Sequence, residues 1–148
     1  SGSAYAVRAN STFKTSADVD RAGVTIGAIA GQSPEVYVRE HSKSARVESL
    51  SSVPPNAAIG KMLLDGKVDA FAANRTRMEE MVREVPGLRV LADDFTATLQ
   101  SIVVVKGKKS QLDAVNRFLA DVRGSGCVKA SLEKADHVGV AVAPEPKR

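Results

Sequence analysis

The chain has 148 residues, of which 43% are hydrophobic and 26% are charged, as in an ordinary globular domain with a buried core. Its apolar runs are far shorter than the ~20 residues of a membrane-spanning helix, and no basic-then-apolar secretory leader opens the sequence. The net charge is +4, but the basic residues are scattered among acidic ones and tryptophan is absent, which argues against a nucleic-acid interface.

Short apolar runs alternate with helical patterns along the chain, which is typical of an α/β fold. We predict strands over residues 5–9, 24–30, 45–50, 68–73, 88–91, 96–105 and 138–142. We predict helices over residues 16–23, 33–41, 56–65, 75–84, 110–124 and 127–135. Glycine or proline follows several of these segments, as expected where a helix ends.

The junction after the second predicted strand has residues that suit a binding turn. Ser33 is a good N-cap and Pro34 suits the first helical position, so the helix is expected to begin here with unpaired amides. Those amides attract anions and polar oxygens, and Gly31 has no Cβ to keep a ligand from the backbone. A binding role and plain loop chemistry are both consistent with this pattern.

Residue types that carry catalysis or bind metals are few. Cys127 is the only cysteine, which permits no intrachain disulfide, and its apolar neighbours predict a small buried side chain. His41 and His137 lack metal-ligand spacing and are interpreted as surface residues. Asp69 is interpreted as a structural cap or turn contact rather than a catalytic carboxylate. Without a paired acid and base or a phosphate-binding loop, the sequence predicts no enzyme, no metal and no cofactor.

Several short segments of the sequence point to a protein family through their order and spacing. They are residues 14–24, Gly31-Gln32-Ser33, residues 64–71, residues 125–128 and residues 138–144. In these segments the chain resembles the bacterial extracellular solute-binding proteins of the polar-amino-acid type, which serve ABC importers and have the type II periplasmic-binding fold. The resemblance implies a three-layer α/β/α sandwich with a mixed sheet, and a periplasmic location.

The resemblance covers only the C-terminal portion of such a protein, which normally holds its solute between two lobes joined by two hinge strands. By this resemblance, residues 1–148 are one domain that lacks most of lobe one. Its parts are hinge-like strands over 5–10 and 96–105, a lobe-two core over 11–95, and a C-terminal helical segment and tail over 106–148. The apolar faces of the last two helices then need a cover, which we expect from a homodimer by C-terminal segment exchange or from folding over lobe two.

The resemblance also implies ligand contacts. In such proteins the loop that corresponds to Gly31, Gln32 and Ser33 donates hydrogen bonds to the solute, typically to a carboxylate. The position of Asn74 commonly holds an aspartate that pairs with the ammonium of the solute, and an amide brings no charge to that contact. Arg75 then either favours an acidic or phosphate-bearing solute or is a helix-surface arginine.

Two functions follow from the resemblance. The first is non-catalytic binding of a small polar or anionic solute, as part of an ABC-importer substrate-binding protein that meets the importer's membrane subunit. The second is a ligand-sensing effector domain of a transcription regulator or sensor. With one lobe missing, the affinity of this chain for solute is expected to be on the order of millimolar or weaker.

Overall fold

The computed structural model of the chain describes residues 1–135 and 139–144. The chain forms two compact units that divide between Thr98 and Leu99. The first contains a mixed sheet, three helices and a 3₁₀ turn at Ser16–Asp18, and the second contains two helices. The assignment of all 148 residues to one solute-binding domain stays a prediction.

Six strands form the sheet of the first unit. They are β1 (Gly2–Arg8), β2 (Thr25–Ile29), β3 (Arg46–Leu50), β4 (Ala70–Asn74), β5 (Leu88–Val90) and β6 (Thr96–Ala97). Strand β2 pairs in parallel with β3 and β4, whereas β1 pairs antiparallel with β4, β5 and β6. The resulting order is β3-β2-β4-β1-β5, with β6 beside β1.

Helices cover both faces of this sheet. They are α1 (Ser33–His41), α2 (Asn56–Leu64) and α3 (Arg75–Glu84). On one face, α2 and α3 contribute a buried cluster with the sheet that includes Ile59, Leu63, Met78 and Met81. On the other face, Val38 of α1 and Val19 after the 3₁₀ turn pack with a second set of strand residues. The predicted three-layer α/β/α sandwich with a mixed sheet is confirmed.

The strands supply both core clusters because successive side chains of a strand point to opposite faces of the sheet. In β4, Phe71 belongs to the cluster beneath α2 and α3, whereas Ala70 and Ala72 belong to the cluster beneath α1. Phe71 lies so close to β2 that a Cβ at Gly27 would be 2.7 Å from its ring. A glycine at position 27 therefore lets the largest fully buried side chain pack against the neighbouring strand.

The second unit contains α4 (Lys109–Gly124) and α5 (Cys127–Lys134), joined through Gly126 in the left-handed region at φ +73°. Neither helix has a buried residue, and Leu112 and Phe118 are 43% and 59% exposed. The predicted burial of Cys127 is wrong, since this cysteine is exposed. An apolar periodicity creates a face that favours burial, but burial also requires a partner.

Three predicted elements differ from the structure. The strand expected over 96–105 ends at Ala97, because its ladder with β1 contains only the pairs Gly2–Ala97 and Ser3–Thr96. The helix expected over 16–23 is only the short 3₁₀ turn. Residues 139–142 form no strand, and residue 138 lies outside the described residues, as does His137. Most other bounds agree within two residues, although β1 begins at Gly2 and ends at Arg8.

The connection between α1 and β3 is fixed by one carboxylate. Asp20 accepts hydrogen bonds from the backbone N–H groups of Ala45, Lys43 and Ser44 and from the hydroxyl of Ser42, at 2.8 to 2.9 Å. The hydrogen bonds from the backbone of Ala45, Lys43 and Ser44 hold the pKa of this carboxyl well below its usual range. The ionised form of Asp20 therefore stabilises the fold.

Replacing Asp20 with alanine is expected to lower the free energy of unfolding by about 2 kcal/mol at pH 7, because several donors lose a charged acceptor. The folded pKa of Asp20 is below the unfolded value of about 4, so its stabilisation is fully present above pH 4 and decreases as the pH falls from 4 to 2. Urea unfolding followed by circular dichroism at pH 7, 4 and 2 measures this. A deficit that does not shrink in acid, or an equal deficit in the surface variant Glu80→Ala, contradicts it.

Candidate functional site

Four segments of the first unit meet at one edge of the sheet. Strands β2 and β4 are parallel neighbours, with Ala28 opposite Ala72, so the loop after β2 and the end of β4 at Asn74 reach the same edge. Strand β1 is antiparallel to β4 and begins there, with Ser3 opposite Asn74. Strand β6 pairs with this first part of β1. The edge therefore combines the loop before Ser33, the end of β4, the start of β1 and the β6 segment.

A groove with a volume of about 400 Å³ lies at this edge. It is lined by Gly31, Ser33, Val36, Tyr37, Glu40, Thr96, Ala97 and Thr98. The lining residues of α1 are spaced three and four apart, which places them on one face of that helix. Of the five predicted ligand-binding residues, Gly31 and Ser33 line the groove, whereas Gln32, Asn74 and Arg75 do not.

The loop at Gly31 is held by the chain itself. Gly31 has φ +77°, a conformation that favours glycine, and its N–H donates to Oε2 of Glu35 at 3.3 Å. The N–H of Gln32 donates to the carbonyl of Ile29 at 3.2 Å. The expectation of unpaired amides is therefore wrong for Gly31 and Gln32. Helix α1 begins at Ser33, with Gln32 as its N-cap residue, so the assignment of Ser33 as N-cap is wrong by one position.

Glu35 is the buried carboxylate beneath this loop, with a side chain that is 5% exposed. Besides Gly31, it accepts a hydrogen bond of 2.6 Å from the hydroxyl of Ser49 on β3 and a longer contact of 3.4 Å from Arg39. The hydrogen bond from Ser49 is the main reason that the pKa of Glu35 lies below its ordinary value. The ionised carboxylate of Glu35 thereby connects the Gly31 loop, α1 and β3 through hydrogen bonds.

Asn74 connects the end of β4 to the start of α3. Its Oδ1 accepts a hydrogen bond of 3.0 Å from the N–H of Thr76, which caps α3, and its Nδ2 donates to the hydroxyl of Ser1. An amide oxygen has two lone pairs, so the cap leaves Oδ1 with acceptor capacity. Asn74 thus combines a structural role with a position at the groove edge of the sheet.

Arg75 is 11% exposed and makes its contacts inside the first unit. Its Nε donates to Asp94 at 2.6 Å, and its Nη2 donates to the carbonyls of Leu91 and Ala92 at 3.1 and 3.2 Å. Its Nη1 lies 3.4 Å from Glu79 on α3. These partners fix α3 to the chain after β5, and a role for Arg75 in binding solute stays a prediction.

Solved structures share this architecture. A binding component of an ABC transporter from Wolinella succinogenes, complexed with lysine, aligns with a TM-score of 0.70 and 21% identity over 90% of this chain and 57% of that chain. An ancestral arginine-binding protein bound to glutamine gives 0.66 and 22%, over 94% and 60%. The chain has the type II periplasmic-binding fold. The resemblance to amino-acid-binding proteins of ABC transporters is thereby confirmed at the level of the fold.

An ancestral cyclohexadienyl dehydratase has the same periplasmic-binding fold and 25% identity, with a TM-score of 0.58 over 90% of this chain and 56% of that chain. The chain thus spans little more than half the length of these proteins. No family model and no curated protein matches the sequence.

Two other residues of this periplasmic-binding fold were interpreted from the sequence as structural or surface residues. Asp69 accepts a hydrogen bond of 2.9 Å from the N–H of Thr25 and lies 3.3 Å from Arg8. These contacts are structural, but they join distant segments rather than forming the predicted local cap or turn. His41 is exposed and stacks on Tyr37 with ring centroids 4.0 Å apart, which confirms a surface histidine.

The described residues contain no group of three or more metal-binding side chains. Within the same ranges no helix is long and apolar enough to cross a membrane.

Sequence reasoning missed Glu35 and most of the residues that line the groove, namely Val36, Tyr37, Glu40, Thr96, Ala97 and Thr98. An acidic residue in the first turn of a helix is common, because it interacts favourably with the helix dipole, so Glu35 gives little signal by itself. A glutamate soon after a helix start also suits a capping box, in which its side chain reaches back to an amide, and that pattern was the available clue.

Proposed function

We propose that the chain binds a small polar solute in the groove between α1 and β6, as the lobe-two part of a substrate-binding protein of an ABC importer. The supporting observation is that the Gly31 loop, Ser33 and the end of β4 at Asn74 share one sheet edge with this groove. A solute-binding protein of this kind works in the periplasm and delivers its solute to the membrane subunit of the importer. The alternative of an effector-sensing domain stays a prediction.

The groove offers a few polar groups against an otherwise apolar wall, as small-molecule sites generally do. Ser33 contributes a hydroxyl at the start of α1, where the helix dipole favours a carboxylate. Thr96 and Thr98 contribute hydroxyls on the opposite side. Solved structures of the same fold hold lysine and glutamine, which makes amino acids the first solutes to test.

We propose binding without chemical conversion. The titratable side chains that line the groove are Tyr37 and Glu40. Both belong to α1, and an acid–base mechanism would need two such groups placed around a reacting atom. Most of the similar solved structures are binding proteins, which supports the same conclusion, although one is a dehydratase.

An NMR titration of the chain tests the proposal with lysine, arginine, glutamine, glutamate, succinate and inorganic phosphate. Amino acids are expected to shift the amide resonances of Gly31, Ser33 and Thr98, with dissociation constants on the order of millimolar because lobe one would supply the remaining contacts. Replacing Ser33 with alanine is expected to weaken binding about fivefold through the loss of one hydrogen bond. Ser52→Ala, at an exposed position in the β3–α2 connection, is the matched control.

Several outcomes of this titration contradict the proposal. Shifts that are absent with every solute, or that map to residues away from the groove, reject solute binding at this site. Micromolar affinity rejects the expectation that half of the contacts are missing. Equal effects of Ser33→Ala and Ser52→Ala on binding exclude a hydrogen bond between Ser33 and the solute.

A further inference from the structure

The charge of the groove is carried by one residue. Of the side chains that line it, only Glu40 bears a formal charge at neutral pH, and it is exposed. Within residues 1–135 and 139–144, no hydrogen bond or ion pair engages this carboxylate. The neighbouring Arg39, by contrast, is directed to Glu35, at 3.4 Å. The groove therefore presents an uncompensated negative charge at its Glu40 end.

The position of Glu40 is unfavourable for the helix that carries it. Helix α1 spans Ser33–His41, so Glu40 lies in its last turn, where the dipole disfavours a carboxylate. The structure thus gives this side chain no stabilising role within α1.

The part of the groove wall between the two ends of α1 suits an apolar spacer within the bound solute. Ser33 and Glu40 are seven residues apart on one helix face, which corresponds to about 10 Å along the axis. Val36 and Tyr37 lie between them, and Tyr37 contributes an aromatic ring. The ring centroid of Tyr37 lies 5.7 Å from that of Phe95, and the tilted rings of Phe95 and Tyr5 have centroids 4.4 Å apart. One face of Tyr37 stacks on His41 at 4.0 Å. These contacts keep the aromatic wall in place.

We propose that Glu40, with Tyr37, selects solutes that carry a cationic group at the end of an apolar spacer, such as basic amino acids. The inference rests on the proposed function and narrows its solute class. A carboxylate attracts an ammonium or guanidinium. The Tyr37 ring, which also stacks on His41, adds apolar wall for the spacer. The same carboxylate repels an anionic end, so the groove disfavours the acidic solutes that Arg75 suggested from sequence. Arg75, held by Asp94 and Glu79, does not line the groove.

Lysine and norleucine provide the test, since they differ by the terminal ammonium group. In NMR titrations at low salt, the chain is expected to bind lysine about threefold to fivefold more tightly than norleucine, as suits an exposed ion pair. Glu40→Gln is expected to abolish this preference by weakening lysine binding to about the level of norleucine binding. Raising the salt to about 0.5 M is expected to reduce the preference, because salt screens exposed charges.

The control variant is Glu80→Gln on α3, which changes the net charge equally at an exposed position away from the groove. It is expected to keep the preference for lysine. Equal binding of lysine and norleucine, tighter binding of glutamate, or a preference that survives in Glu40→Gln overturns the inference and leaves solute binding standing. Absence of any shift at Gly31, Ser33 and Thr98 with every solute rejects the proposed function itself, and the inference with it.

Discussion

Replacing Glu35 with leucine is expected to lower the free energy of unfolding by about 3 kcal/mol and to abolish solute binding in the groove. Leucine fits a buried helical position but accepts no hydrogen bonds, so the N–H of Gly31 and the hydroxyl of Ser49 lose their partner. A hydrogen bond to a charged acceptor contributes about 1.5 to 3 kcal/mol, and two such hydrogen bonds are lost. Urea unfolding followed by circular dichroism measures the stability, and the lysine titration measures the binding.

Two further variants separate the role of Glu35 from a general effect on folding. Glu35→Gln keeps one carbonyl acceptor for the loop and is expected to recover about half of the lost stability and measurable binding. Arg39→Gln removes only the exposed partner of Glu35 and is expected to change stability by less than about 0.5 kcal/mol. If leucine at position 35 leaves the Gly31 amide resonance and the titration unchanged, the loop does not depend on Glu35.

Replacing Asn74 with aspartate is expected to tighten the binding of α-amino acids about tenfold. The resemblance predicts that residue 74 contacts the solute ammonium, and a carboxylate there adds a charge to that predicted contact. Hydrogen bonds between charged groups are roughly twice as strong as neutral ones. Aspartate also keeps the cap of α3, because its oxygen accepts the N–H of Thr76 as Asn74 does. The gain is expected to disappear below about pH 4, where the new carboxylate is protonated.

Norleucine and hexanoate measure this effect, since hexanoate lacks the α-ammonium group. Asn74→Asp is expected to improve norleucine binding and to weaken hexanoate binding in the same titration. Asn10→Asp provides the same chemical change just after β1, at the opposite edge of the sheet. Equal improvement for both solutes, or an equal gain in Asn10→Asp, excludes a direct contact between residue 74 and the ammonium group.

The sequence predicted well those features that depend on neighbouring residues. The bounds of α3, Arg75–Glu84, match the prediction because apolar spacing and the proline at 86 act locally. The shared edge of the Gly31 loop and Asn74 also follows once β2 and β4 are parallel strands. The role of Glu35 does not follow, since its burial depends on Ser49, which is fourteen residues further along the chain.

The misjudged segments depend on partners that a sequence pattern does not specify. The run after Ala97 is rich in valine and isoleucine and was predicted as a strand, yet strand formation requires a paired neighbour. The apolar periodicity of α4 likewise predicted the helix correctly but not what covers Phe118. The sequence shows only that Arg75 is charged. Its four hydrogen-bonding partners within the first unit are known only from the fold.

The pairing of β1 with β6 affects how the first unit connects to other polypeptide. The N–H of Thr98 donates to the carbonyl of Ser1 at 2.8 Å, and Gly2 lies opposite Ala97. The polypeptide thus enters and leaves this body at adjacent positions, about 5 Å apart as in any antiparallel pair. Such a body can be grafted into a surface loop of a host protein, or circularly permuted with a short linker, because little loop-closure entropy is lost.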